Sequence, residues 1–91
     1  MAKNFYFVIL DTTKPRTDWD QLTFVKVRSF NDISGHLLRA AQSNKTEINN
    51  LRLFVAENKT IWDDMANKHY STCKAAEIET MNNAAWWDLS K

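Results

Sequence analysis

The sequence is short of glycine, proline and cysteine, with one of each among 91 residues. Average usage would give about six Gly and four or five Pro in a chain of this length. The scarcity excludes a Gly-rich phosphate-binding loop, a Pro-rich or collagen-like segment, a Gly/Ser linker and an array of tight hairpins. The lone thiol, Cys73, has no partner for an intramolecular disulfide and cannot build a cysteine-based zinc site. With no secretory signal at the N-terminus, it points to a reducing cytoplasm. Long apolar runs are missing too. The longest, Phe5-Tyr6-Phe7-Val8-Ile9-Leu10, falls far short of the roughly 20 residues that span a bilayer, so no membrane association is expected.

An excess of one charge is also lacking. Twelve basic and 11 acidic residues give a net charge of +1 and an isoelectric point near 7.9. Dedicated nucleic-acid-binding domains usually exceed about 9. The charge is nevertheless uneven. Residues 1–45 hold seven Lys/Arg against four Asp, and residues 46–91 hold five basic against seven acidic residues.

What the chain does have is a set of short periodic segments, enough for one domain over residues 1–91. Residues 4–10 are continuously aromatic and β-branched, which predicts a strand buried on both faces. A polar loop, 11–18, holds the only proline, and Thr17-Asp18-Trp19-Asp20 resembles a helix start of about one turn. Leu22 to Ser29 alternates with period two and ends one face in Lys26 and Arg28, which predicts an edge strand. Ser29 to Asp32 reads as a capping box, and Phe30, Ile33, Leu37 and Ala41 form the apolar stripe of a helix reaching about Ser43. Gly35 inside that helix costs about 1 kcal/mol relative to Ala, and a close approach to the sheet would account for it.

Leu51 to Ala56 predicts a third strand, with Leu51, Leu53 and Val55 on one face. A second helix starts near Thr60, with Trp62 in the core. Beyond Ser71 two readings stand. Ala75-Ala76 and Ala84-Ala85 predict a continuing helix, whereas the alternation of Glu77–Met81 and the Asn82-Asn83 pair would make a hairpin. The expected fold is therefore α+β, in the order β-β-α-β-α plus a C-terminal helix or hairpin. Its three-stranded, mostly antiparallel sheet has strand order 2-1-3, with the helices packed on one face.

Little in the sequence predicts catalysis. His69 and Cys73 share a helical face at the spacing of two zinc ligands, but a site needs three or four. Asp63, Asp64 or His36 would have to complete the set. His69 beside Cys73 could also serve a nucleophilic thiol, if a partner such as Asp64 oriented it. The carboxylate pairs Asp18/Asp20, Asp63/Asp64 and Glu77/Glu79 would work as acid and base only in an enclosed cleft. The expectation is a protein that is not an enzyme and carries no cofactor or metal.

Binding is better supported. Four tryptophans are many for so small a chain, and three of them, Trp19, Trp86 and Trp87, lie outside the predicted core. Incompletely covered tryptophans serve as interface anchors. The leading expectation is a non-catalytic protein-interaction module, a small regulator or inhibitor of the kind a phage or another mobile element encodes, with these three residues contacting a protein partner or a second copy of the chain. The second expectation is single-stranded nucleic acid, held by Lys14, Arg16, Lys26 and Arg28 with Phe24 and Trp19 interleaved.

Overall fold

The computed structural model describes residues 4–15, 19–72 and 86–89. Four strands are present among them: β1 (Phe5–Asp11), β2 (Leu22–Val27), β3 (Leu51–Ala56) and β4 (Trp86–Asp88). The helices are α1 (Ile33–Asn44) and α2 (Lys59–Thr72), and short 3-10 turns lead into β2, α1 and β3. The sheet order is β2-β1-β3-β4, antiparallel throughout. Neither helix is long and apolar enough to cross a membrane.

The α+β class and the central position of β1 follow the sequence, but two expectations need correction. First, the sheet has four strands, not three. Residues 86–88 pair with the outer edge of β3 instead of continuing a helix, while residues 73–85 lie outside the described part. Second, the helices lie on opposite faces of the sheet. The reason is in β1 itself: Phe5, Phe7 and Ile9 point to one face and Tyr6, Val8 and Leu10 to the other, so both need cover. On the first face Phe7, Ile9, Val25, Val27 and Leu51 pack with Ile33, Ala40 and Ala41 of α1. On the second, Val8, Leu10, Leu22, Phe54, Ala56 and Trp86 pack with Ile61, Trp62 and Met65 of α2. Each fully buried aliphatic or Phe side chain contributes about 1.5–3 kcal/mol.

The helix ends show how the chain turns with so little glycine. Ser29 is extended and makes no side-chain cap, so the expected capping box does not form. The entry to α1 is instead the turn closed by Asp32 N–H donating to the Ser29 carbonyl at 3.0 Å. At its far end Lys45 takes the left-handed conformation, φ 55 and ψ 46. Lys45 and Thr46 N–H donate back to Gln42 and Ala41, the double bond of a Schellman ending with lysine where glycine is usual. Helix α2 starts from Asn58, whose Oδ1 accepts from Ile61 N–H at 3.1 Å. That is an N-cap placed two residues before Thr60. Gly35 makes no close approach, because a Cβ there would meet nothing within 4 Å.

Side-chain hydrogen bonds tie the end of β1 to its neighbours. Asp11, buried, accepts from the Thr13 amide and hydroxyl and from Asn44 Nδ2 at 3.0 Å. The same Asn44 amide donates to the Asp20 carbonyl at 3.2 Å, so one side chain joins α1, β1 and the turn before β2. Trp62, as expected, belongs to the core: it packs against Tyr6 and Phe24, and its Nε1 donates to the Phe7 carbonyl at 2.8 Å.

Candidate functional site

The register of β4 decides what its tryptophans do. Trp86 pairs with Ala56, Trp87 with Val55 and Asp88 with Phe54. Successive strand residues point to opposite faces, so Trp86 enters the core under α2 and is 3% exposed. Trp87, on the face of α1, is 48% exposed. A contact role for Trp86 is thereby corrected: its ring is consumed by its own fold. Leu89 continues the face of Trp87, is 40% exposed, and is held by its N–H donating to the Leu53 carbonyl at 2.8 Å. Val55 and Leu53 beneath them are only half-buried. The result is an apolar strip, Trp87-Val55-Leu53-Leu89, on the outer half of the sheet. An ion pair between Arg52 and Asp88 pins β4 from the opposite face, with the Arg52 guanidinium 5.2 Å from the centre of the Phe54 ring.

Trp19 does not join this strip. Its backbone lies in the turn before β2, at the opposite edge of the sheet. Three strand spacings, about 14 Å, separate the two edges. Its side chain lies outside the described residues.

The predicted basic set is also divided. Lys14 follows the end of β1, where its carbonyl accepts from Gln21. Lys26 and Arg28 are at the other end of β2, beside the start of β1. At about 3.3 Å per residue the two ends are roughly 16 Å apart. Arg16 lies outside the described residues. The structure instead brings Arg28 to His36 and Arg39 of α1, while Lys26 alternates with Val25 and Val27 and so belongs to the face of α2. Together with Val27, Asp32 and Gly35, Arg28, His36 and Arg39 line a cleft of about 380 Å³. Arg39 was missed in the sequence and His36 considered only as a metal ligand, although their spacing of three places them on one face of a helix.

Of the groups considered for catalysis, Asp18, Glu77 and Glu79 lie outside the described residues. His69 is fully buried among Phe24 and Tyr70, with ring centres at 6.0 and 5.3 Å, and Cys73 lies outside the described residues. Burial also raises the pKa of Tyr70. Asp63 binds Lys59 at 2.7 Å, and that hydrogen bond and charge hold the lysine above its usual value. Two further cavities, of about 500 and 400 Å³, are each lined by a single carboxylate, Glu57 and Glu47. Among the described residues no group of three or more His, Cys, Asp or Glu is placed to hold a metal ion.

Comparison with known protein families, with curated proteins and with solved structures finds no match for this chain.

Proposed function

We propose that the chain is a non-catalytic protein-interaction module, a small cytoplasmic regulator or inhibitor that binds a protein partner through the strip headed by Trp87. The observation that carries this reading is the unequal fate of the adjacent tryptophans. The fold buries Trp86 completely and leaves half of Trp87 in water, beside Leu89 and above the half-covered Val55 and Leu53. An exposed tryptophan set in an apolar surround is the composition of an interface centre. Among the described residues strand β4 is the last in the sheet, so an extended segment of the partner can lie along it and present apolar side chains to the ring.

The test compares wild type with Trp87→Glu as baits, after circular dichroism has shown equal folding. A protein retained by wild type and lost on the variant supports the proposal, and equal retention by both refutes it. Sedimentation of the pure proteins separates one competing case. A wild-type dimer that Trp87→Glu dissociates would assign the strip to a second copy of the chain and overturn the regulator reading.

A further inference from the structure

The cleft between β2 and α1 gathers positive charge. Arg52 and Lys59 are each paired with a carboxylate. Arg28 and Arg39 line one cleft with Asp32, and neither forms an ion pair or side-chain hydrogen bond among the described residues. Protection of an edge strand accounts for a lysine on β2. It does not account for Arg39 and His36, which α1 contributes from across the cleft. Like charges held side by side repel, and an anion between them removes that cost.

Two further features favour an extended ligand over a compact ion. The cleft is open at Gly35, where a Cβ would meet nothing within 4 Å, so a bulky backbone can approach α1 there. Phe30, in the turn between Arg28 and Asp32, is 48% exposed. Its ring is fixed edge-on against Phe5 and Phe7, at 5.9 and 5.5 Å between centres, and its outer surface is free to stack. Cations that track phosphates beside an aromatic platform are the means by which single strands are held without sequence preference.

We propose that this cleft binds the phosphodiester backbone of single-stranded nucleic acid, with Arg28 and Arg39 on phosphates and Phe30 under a base. The site is separate from the Trp87 strip and stands or falls independently of it.

The experiment is fluorescence anisotropy with a labelled oligodeoxythymidylate of about 12 nucleotides. Two neutralised phosphates give a slope of log K against log salt of about −1.4, so affinity falls roughly sevenfold between 50 and 200 mM salt. Arg28→Gln with Arg39→Gln should weaken binding at least tenfold and flatten that slope. Phe30→Ala should weaken it several-fold with the slope unchanged. Lys45→Glu, at the far end of α1, should leave it intact. Circular dichroism of each variant separates loss of binding from loss of fold. Absence of binding at low salt overturns the proposal, as does binding indifferent to the arginine pair. Competition by polyglutamate as strong as that by unlabelled oligonucleotide would reassign the cleft to an acidic peptide and overturn it too.

Discussion

Truncating each of the adjacent tryptophans in turn tests the register of β4, on which the interaction reading depends. Trp86 is 3% exposed, in a cluster with Val8, Leu10, Leu22, Phe54 and Ala56. Replacing it with Ala removes that burial and leaves a cavity, together worth about 4 kcal/mol. Trp87 is half exposed, so about 100 Å² of its ring is covered, worth at most about 2.5 kcal/mol at 25 cal/mol/Å². Water fills the space it leaves, so no cavity term is added. Urea titration followed by far-UV circular dichroism measures both, since fluorescence would mix the signals of four tryptophans. Trp86→Ala should lower the midpoint markedly more than Trp87→Ala, with unchanged slopes. A domain of this size can have as little as about 5 kcal/mol in total. If Trp86→Ala is too unstable to titrate, Trp86→Phe at about 1–2 kcal/mol supplies the comparison. Equal costs, or a larger cost for Trp87→Ala, would mean that β4 presents the opposite face. A one-residue slip exchanges the two rings, and the argument for an exposed anchor at Trp87 would fail.

Other perturbations test the framework around both surfaces. Gly35→Ala should stabilise by about 1 kcal/mol, raising the melting temperature by about 4–8 °C; a decrease would mean that the flank of α1 is not open. Lys45→Gly should gain about 0.5–1 kcal/mol by relieving a left-handed residue, and a loss in the same thermal scan would refute the helix ending described. Asp11 governs part of the acid response. Burial pushes its carboxyl up, but the Thr13 hydroxyl and amide, Asn44 and the charge of Lys14 outweigh this and hold its pKa below the ordinary 3.8. A depressed carboxylate stabilises the fold fully above its unfolded value and loses that contribution as pH falls through the folded one. Asp11→Asn should therefore lower the urea midpoint at pH 7 while losing less on acidification below about pH 4; parallel pH profiles for variant and wild type would refute the assignment.

Where the chain carries a long periodic signal, the fold was legible. The double-sided apolar run of β1 placed it at the centre of the sheet, and the alternation ending in Lys26 and Arg28 placed β2 at an edge. The Phe30-Ile33-Leu37-Ala41 stripe located α1. Strand β4 was only one of two open readings, because three residues after two alanines hold no period, and its pairing with the open edge of β3 was not foreseen. The opposite placement of the helices was implicit in β1, where neither face has a polar residue to offer water before Asp11. The cationic cleft was half legible: Arg28 stood out in the sequence, but only packing brings α1 and its Arg39 beside it. Trp86 and Trp87 had to diverge on any regular backbone; which one faced inward depended on a register that only pairing with β3 fixes.

The Asn44 bridge has a bearing on how the protein can be produced. Asn44-Lys45-Thr46 is an acceptor sequence for N-linked glycosylation, and the sugar attaches to the same Nδ2 that donates to Asp11 and to the Asp20 carbonyl. Glycosylation leaves that nitrogen one hydrogen for two acceptors and sets a bulky glycan at the junction of α1 with β1. Secretory expression in a glycosylating host therefore pits modification of the chain against its folding. A bacterial host avoids the conflict.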